Sequence, residues 1–369
     1  MNISVKKLVP PEIAALVPYP PGKPIEEVER EYGIEGSIKL ASNENPLGPS
    51  PKGVEAISGG LKSLHRYPDG SGYYLKKKLS KLLGVEPEMI ILGNGSNEII
   101  EFAIRTFLSP GDEVVMASPS FAVYPIVVKA TRGKAVEVPL KGLTHDLDAM
   151  LKAVTERTRL IFIANPNNPT GTVVAKGALD TFIDALPDDI VVVIDEAYRE
   201  YVADEDFPDA MRYVGGNKPV VVLRTFSKIY GLAGLRIGYG VADRDVVSYM
   251  ERVRQPFNVN SLAQIAAMAA LDDTSHLERS RENNREGMAH LFDEIGGMGI
   301  ECVPSQANFF LIKVGRGRDV YDGLLHKGVI VRPMDSYNLP EYIRVTVGLP
   351  KENRRFLETF RVVMGEVGR

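Results

Sequence analysis

The sequence has one cysteine and no tryptophan among its 369 residues. A single thiol, Cys302, excludes an internal disulfide framework and is typical of a reducing compartment, so we expect a cytoplasmic protein. The longest segments without a charged residue are about fifteen residues, 114–128 and 257–271, which is too short to cross a bilayer. No apolar stretch follows Lys6 and Lys7, so no secretory signal is predicted.

The sequence also has no large excess of either charge, because it contains 44 basic and 48 acidic residues and has a formal net charge of −4. This balance offers no basic surface for nucleic acid. The five histidines lack the spacing of metal ligands, so no metal site is predicted; they are His65, His145, His276, His290 and His326.

Apolar, β-branched runs alternate with segments that favour helix from about residue 72 onward. We predict strands at 90–92, 114–117, 135–138, 160–164, 190–194, 220–223 and 236–241, and helices at 98–107, 121–130, 146–153 and 175–185. Continuous apolar strands that alternate with helices indicate an α/β fold with a mostly parallel seven-stranded sheet between helices.

The two ends of the chain have different patterns. Residues 17–24 and 41–51 are rich in proline and enclose a short acidic helix at 25–32, so residues 1–47 form an arm that cannot build its own core. After residue 243 the sequence is more helical, and we predict strands at 307–313, 329–331 and 342–347 and a helix after Pro350. We therefore divide the chain into the arm 1–47, a large domain 48–256 and a smaller α+β domain 257–369.

Polar residues follow four of the predicted strands. Ligands of open parallel sheets bind beyond the carboxyl ends of the strands, so these residues are the candidates for a site. The segment 93–98 combines glycines with a helix start, the segment 165–171 is rich in asparagine and proline, and Asp195 ends a buried strand. Lys228 is the only lysine between Lys218 and Lys313, and no carboxylate follows it closely.

Each of these features alone has a structural explanation. A glycine turn can simply begin a helix, a strand-end aspartate can cap one, and a loop lysine can extend into water. Together they supply a phosphate cradle, a carboxylate for a pyridinium nitrogen, donors to a ring hydroxyl and an amine for an aldehyde. These are the groups that bind pyridoxal 5′-phosphate.

The sequence also resembles a known family. Asn168-Pro-Thr-Gly171, Asp195-x-x-Tyr198, and Ser227-Lys228 followed by Arg236 are similar to motifs of the fold-type I, class I/II aminotransferases. Within this group, three segments resemble the histidinol-phosphate aminotransferases: Leu40-Ala-Ser-Asn-Glu-Asn-Pro-Leu-Gly-Pro-Ser-Pro51, Arg66-Tyr-Pro68 and Tyr19-Pro-Pro-Gly-Lys-Pro24. The resemblance runs from about residue 18 to the C-terminus.

The resemblance implies roles for individual residues around pyridoxal 5′-phosphate. Lys228 would bind the cofactor covalently and act as the catalytic base, and Asp195 would bind the pyridine nitrogen. Asn168 and Tyr198 would contact the ring hydroxyl, and Phe121 would stack on the ring. The phosphate would be surrounded by Gly95, Ser96, Asn97, Thr225, Ser227 and Arg236.

The resemblance also implies residues for the substrate and for the assembly. Arg332 and Arg344 would bind the anionic group of the substrate, and Tyr19 would close over it, which makes the arm a lid. Tyr67 would reach the phosphate in the neighbouring subunit, so the active sites of a homodimer would be shared. The implied reaction interconverts histidinol phosphate and 2-oxoglutarate with imidazole-acetol phosphate and glutamate. In histidine biosynthesis it would convert imidazole-acetol phosphate to histidinol phosphate.

Three other functions remain open at this stage. An aromatic amino acid aminotransferase would use the same residues, with the two arginines binding a carboxylate. A phosphothreonine decarboxylase shares the fold and would release carbon dioxide. A transcription regulator of this fold would carry a DNA-binding domain ahead of the first strand, whereas the residues there are rich in proline and not basic.

Overall fold

The computed structural model describes residues 5–20 and 22–367. Their strands are β1 (Ile38–Lys39), β2 (Ile90–Gly93), β3 (Glu113–Ser118), β4 (Lys134–Pro139), β5 (Thr158–Ala164), β6 (Val191–Asp195), β7 (Val220–Thr225), β8 (Gly238–Val241), β9 (Phe309–Lys313), β10 (Val329–Ile330), β11 (Arg332–Pro333) and β12 (Tyr342–Thr346).

The helices of the same residues are α1 (Pro11–Ala14), α2 (Ile25–Tyr32), α3 (Pro51–Gly60), α4 (Tyr73–Leu83), α5 (Ser96–Phe107), α6 (Val123–Ala130), α7 (Leu147–Lys152), α8 (Lys176–Ala185), α9 (Arg244–Glu251), α10 (Ser261–Ala270), α11 (Thr274–Gly296), α12 (Gly317–His326) and α13 (Pro350–Val367). Several of them begin with a side-chain cap, as when Asn260 accepts a hydrogen bond from Ala263 N–H at the start of α10.

The large sheet has seven strands in the order β2-β8-β7-β6-β5-β3-β4, and only β8 runs against its neighbours. Alternate residues of the central strands pack into two different apolar clusters. Phe162 and Val193 belong to the cluster on one face, while Ile161 and Val192 belong to the cluster on the other. Both faces are thus covered, which explains why these strands are apolar throughout.

The predicted mostly parallel seven-stranded sheet is confirmed, and so are its seven strands to within a few residues. The seventh strand begins later than predicted, at Gly238 rather than residue 236, because Arg236 has a left-handed φ of 57° and lies in the turn before the strand. Helices α3, α4, α9 and α10 were not predicted individually.

The C-terminal part contains the antiparallel sheet β11-β12-β9 and the helices α11, α12 and α13. Part of the arm packs with it: β1 pairs with β10, and Val28 and Leu40 belong to the same apolar cluster as the C-terminal helices. By contrast, α10 packs against α3 and α4 of the large domain. The predicted domain bounds stay a prediction. We propose to assign residues 25–41 to the small domain and helix α10 to the large domain.

The fold brings several chain segments to one edge of the large sheet. The carboxyl ends of β2, β3, β5, β6 and β7 lie at this edge because these strands run in the same direction. The small domain supplies β11 and β12 to the same region, and the arm contributes Tyr19, Gly22 and residues 41–43. The site therefore draws on three parts of the sequence.

Candidate active site

One cavity of about 930 Å³, including its open mouth, lies at this edge of the sheet. Almost all of the predicted site residues line it. They are Tyr19, Ser96, Asn97, Phe121, Asn168, Asp195, Tyr198, Thr225, Ser227, Lys228, Arg236, Arg332 and Arg344. Two predicted residues are absent from this lining, Gly95 and Tyr67, and they are described below.

Lys228 lies at the floor of the cavity, in the loop after β7. Its Nζ is 5.5 Å from the centre of the Tyr198 ring and donates to the Ser42 carbonyl oxygen at 3.4 Å. Burial, followed by the positive charge of Arg344, lowers the pKa of this amine to about 8. Among the described residues it has no carboxylate ion pair. An appreciable fraction of Lys228 is therefore a neutral amine near neutral pH, as a nucleophile requires.

Asp195 ends β6 and is buried in the cavity wall. Its Oδ2 accepts a hydrogen bond from the Tyr124 hydroxyl at 2.8 Å, and its Oδ1 accepts one from Ala197 N–H at 3.1 Å. Burial raises the pKa of this carboxyl to about 6. No α-helix begins directly after Asp195, because the next element is the 3₁₀ turn Arg199–Tyr201. The carboxylate is thus placed to bind a cation in the cavity rather than to cap a helix.

The turn between β2 and α5 has the composition of an anion-binding cup. Gly95 has a φ of 81°, and a Cβ at this position would lie 2.8 Å from the Arg236 guanidinium, so only glycine lets the arginine approach. Ser96 begins helix α5, and Ser96 and Asn97 line the cavity, so the positive end of the helix dipole lies at its wall. Thr225 and Ser227 lie beside them. Helix N–H groups, hydroxyls and a guanidinium together suit a phosphate.

Two arginines face each other on the small domain. Arg332 and Arg344 are direct partners across β11 and β12, so their side chains leave the same face of the sheet. Both are buried, and neither has a carboxylate partner among the described residues. Burial lowers the pKa of Arg344. Two buried like charges so close together are unfavourable unless an anion lies between or beside them.

The arm covers this arginine pair. The Tyr19 ring lies 5.5 Å from the Arg332 guanidinium carbon, and an Arg332 amino group donates to the Pro20 carbonyl oxygen at 2.9 Å. Arg344 donates in turn to the Ala41 carbonyl oxygen at 2.8 Å and to the Asn168 side-chain oxygen. The arginines therefore connect the small domain to both arm segments and to the loop after β5.

The remaining aromatic residues line the cavity walls. Tyr198 is buried, and its hydroxyl accepts a hydrogen bond from Asn43 Nδ2 at 2.9 Å. Phe121 meets Tyr124 edge to face at 5.5 Å between ring centres. Phe121 therefore offers an apolar face to a flat ring bound in the cavity.

Tyr67 is the one predicted residue that lies away from this cavity. Its side chain is 83% exposed and stacks on Phe257 at 4.8 Å between ring centres. The predicted action of Tyr67 in a neighbouring subunit is not tested by this position and stays a prediction.

Tyr124 and Asn43 hydrogen-bond to the predicted residues Asp195 and Tyr198 but were not themselves predicted. Tyr124 lies one helical turn after Phe121, and this spacing could have indicated that both rings face the same way. Asn43 lies in the segment 40–51, which the resemblance singled out, but nothing in its local pattern indicates Tyr198 as its partner. Within the described ranges, no three His, Cys, Asp or Glu side chains are grouped as a metal ion would require, and no helix is long and apolar enough to span a membrane.

The fold and this site define the class of protein. The sequence model described as aminotransferase class I and II matches residues 35–360, and the chain belongs to this family. Within the family, the chain is 52% identical to histidinol-phosphate aminotransferase 1 of Nitrosococcus oceani over 96% of each chain. It is 49% identical to the histidinol-phosphate aminotransferase of Moorella thermoacetica, over 95% of this chain and 92% of the relative.

A solved structure agrees with these relatives. The histidinol-phosphate aminotransferase of Sinorhizobium meliloti in complex with pyridoxal-5′-phosphate superimposes with a TM-score of 0.89, at 27% identity, over 97% of each chain. The L-threonine-O-3-phosphate decarboxylase of Porphyromonas gingivalis has the same fold, with a TM-score of 0.79 at 22% identity over 89% of this chain and 99% of that one.

Proposed function

We propose that the protein is a histidinol-phosphate aminotransferase that uses pyridoxal 5′-phosphate. It interconverts L-histidinol phosphate and 2-oxoglutarate with imidazole-acetol phosphate and L-glutamate, as part of histidine biosynthesis. The observation that carries this proposal is the pair of buried arginines in the same cavity as the isolated Lys228. Relatives with this name match nearly the whole chain at about half identity, as the 52% identical one does over 96% of its length.

The cavity fits the cofactor by the chemistry of its donors. The cup of Gly95, Ser96, Asn97 and Arg236 suits the phosphate, and Thr225 and Ser227 add hydroxyl groups to it. When bound, pyridoxal 5′-phosphate supplies an aldehyde that condenses with amines and a ring that takes up electrons from the substrate Cα.

The proton transfers belong to Lys228. As a free neutral amine, Lys228 would take the proton from the substrate Cα and would deliver it to C4′ of the cofactor. A pKa of about 8 suits this role, because the group is neither permanently charged nor strongly acidic near neutral pH.

Asp195 holds the proton on the ring nitrogen of the cofactor. Its two hydrogen-bond donors, Tyr124 and Ala197 N–H, favour the ionised carboxylate against the effect of burial. Tyr198 and Asn168 contact the ring hydroxyl, and the Phe121 ring packs on the face of the cofactor. These residues would hold the ring in the cavity that Lys228 also lines.

Arg332 and Arg344 bind the phosphate of histidinol phosphate. A phosphate has three terminal oxygens and can accept from both guanidiniums and from the Tyr19 hydroxyl at once, whereas a carboxylate has two. The acceptor 2-oxoglutarate uses the same arginines through a carboxylate. Tyr19 closes the arm over the bound substrate as a lid and excludes water.

We further propose a cytoplasmic homodimer in which Tyr67 reaches the cofactor phosphate of the neighbouring subunit. The exposed Tyr67 and Phe257 rings support this arrangement, because a pair of large aromatic side chains at the surface is typical of an interface.

The experiment measures which donor the purified enzyme uses with 2-oxoglutarate. We expect glutamate and imidazole-acetol phosphate from histidinol phosphate, with a kcat/KM well above that for phenylalanine. A preference for phenylalanine would identify an aromatic amino acid aminotransferase. Carbon dioxide released from phosphothreonine, without a keto-acid product, would identify the decarboxylase whose fold the chain shares.

A further inference from the structure

A chain of hydrogen bonds connects the small domain to Tyr198 through the arm. Thr346 lies on β12 two residues after Arg344, so both side chains leave the same face of this strand. Asn43 N–H donates to Thr346 Oγ1 at 3.0 Å, and Thr346 Oγ1 donates to Asn43 Oδ1 at 3.2 Å. Asn43 Nδ2 then donates to the Tyr198 hydroxyl oxygen at 2.9 Å.

The direction of these bonds is determined by Thr346. Its hydroxyl already accepts the backbone N–H of Asn43, and its single proton goes to Asn43 Oδ1. With its oxygen held there, the amide must turn its NH₂ group toward Tyr198. The Tyr198 oxygen therefore accepts a hydrogen bond from Asn43. Its own proton is not used in this bond and can point into the cavity.

The backbone at Asn43 is built for this contact. Asn43 has a left-handed φ of 55°, a conformation that asparagine and glycine tolerate better than most residues. Its carbonyl oxygen accepts from Asn308 Nδ2 at 3.1 Å, so the residue is held from two sides of the small domain. Asn43, Asn308 and Thr346 are all buried. Every polar side-chain atom of Asn43 and Thr346 has a hydrogen-bond partner. A buried polar pair that is bonded in this way holds its groups in a single orientation.

We propose that Asn43 and Thr346 are positioning residues that orient the Tyr198 hydroxyl so that it donates its proton to the ring oxygen of the bound cofactor. The inference rests on the proposed function, because it assumes that Tyr198 faces that oxygen. The new element is that Thr346, a residue of the small domain, acts through Asn43 of the arm to make the Tyr198 hydroxyl the donor to the ring oxygen. Thr346 lies on the same strand as Arg344, which binds the substrate.

The surroundings of Tyr198 suit a donor. Burial raises the pKa of its hydroxyl to about 12, so the phenol keeps its proton near neutral pH. The charged groups that face it are Lys228, Arg344 and Asp195. None of these is changed by substitutions at Thr346, so such substitutions act through the hydrogen-bond chain.

The test compares Thr346→Val with the matched control Thr346→Ser in the cofactor-loaded enzyme. Valine removes the hydroxyl that fixes the amide, so Asn43 can turn its oxygen toward Tyr198 and take up the phenol proton. The ring oxygen then loses a donor and holds the proton that it shares with the Lys228 nitrogen more tightly. We expect the midpoint of the pH-dependent visible absorption to rise by about one pH unit, which is typical of losing a donor to an anion.

Two further readouts separate positioning from a general loss of structure. We expect Thr346→Ser to titrate like the wild type, because serine keeps the hydroxyl, and we expect the cofactor dissociation constant to rise several-fold only in Thr346→Val. Thermal unfolding of the cofactor-free variants checks the fold. If Thr346→Val does not fold, Asn43→Gly carries the test, because glycine accepts the positive φ and also removes the donor to Tyr198; it should shift the midpoint in the same direction.

Equal midpoints in the wild type, Thr346→Ser and the tested variant would overturn the inference and leave the proposed function intact. A wild-type protein that shows no cofactor absorption would instead contradict the proposed function, and with it the role of Tyr198. A raised midpoint with retained, slower transamination supports both.

Discussion

Replacing Asp195 with asparagine separates the catalytic role of this residue from its structural one. In the wild type, the carboxylate accepts from Ala197 N–H and from the Tyr124 hydroxyl. Asparagine can keep both contacts, because its oxygen can accept from Ala197 N–H while its amide donates to the Tyr124 oxygen, whose hydroxyl can rotate. The fold should therefore tolerate the change, whereas the ring nitrogen of the cofactor loses the only charged partner that the cavity provides for it.

The expected loss of activity follows from that missing charge. A buried hydrogen bond to a charged group contributes about 1.5–3 kcal/mol, and the effect on a reaction that needs the protonated ring is at least about 2–4 kcal/mol, or roughly 30- to 1000-fold in kcat. Steady-state kinetics with histidinol phosphate and 2-oxoglutarate measures it, with the cofactor absorption as a check that Asp195→Asn still binds the cofactor. A kcat near that of the wild type would show that Asp195 only stabilises the turn.

Although it lowers activity, the same substitution should stabilise the cofactor-free protein. Burial raises the pKa of Asp195 to about 6, above its ordinary value of 3.8, so ionising it costs stability as the pH rises between these values. A difference of about two pH units corresponds to up to about 3 kcal/mol. We expect cofactor-free Asp195→Asn to unfold at a higher temperature than the wild type above pH 6 and at the same temperature below pH 4. A wild type that is the more stable of the two at pH 7 would refute this reasoning.

Three other predictions concern Lys228, Tyr67 and Tyr19. Borohydride should fix the cofactor to the Lys228 peptide, and Lys228→Ala should bind cofactor but lose turnover; full activity in that variant would contradict its role. Lys228→Ala and Tyr67→Ala chains should each be impaired alone, but their heterodimers should recover activity in up to half of the sites, since one site then carries both changes and the other carries neither. No recovery in verified heterodimers would show that Tyr67 does not act across subunits. Tyr19→Phe keeps the ring over Arg332 and should lower kcat/KM for histidinol phosphate by about 1–2 kcal/mol but change that for phenylalanine much less; equal losses would argue against a phosphate contact.

The parts of the fold that the sequence predicted are those controlled by local patterns. The apolar strands of the large sheet are buried on both faces, so each appears as a continuous run such as 160–164 or 190–194. Helix α2 was predicted with its observed bounds because Pro24 starts it and Gly33, with a φ of 65°, ends it. The strand order could not be predicted, because it depends on which strands meet after distant segments have folded.

The site, too, has features that local sequence patterns indicate and features that they do not. Lys228 and the glycine turn at 93–98 lie at or beyond strand ends, and Asp195 ends a strand, so the rule that ligands bind beyond strand ends was enough to single them out as candidates. The contacts between residues far apart along the chain were not visible in the sequence: Asn43 and Tyr198 are 155 residues apart, and Tyr124 and Asp195 are 71 apart. Such pairs depend on the packing of the arm and helix α6 against the sheet, which no local pattern encodes.

The most direct test of the account is a single-turnover reaction of the cofactor-loaded enzyme, mixed rapidly with histidinol phosphate or with phenylalanine and no keto acid. The change in cofactor absorption reports amino transfer to the cofactor. The arginine pair on β11 and β12, with Tyr19 above it, predicts that histidinol phosphate reacts faster and at lower concentration than phenylalanine. A faster reaction with phenylalanine, or no absorption change with histidinol phosphate, would contradict the account.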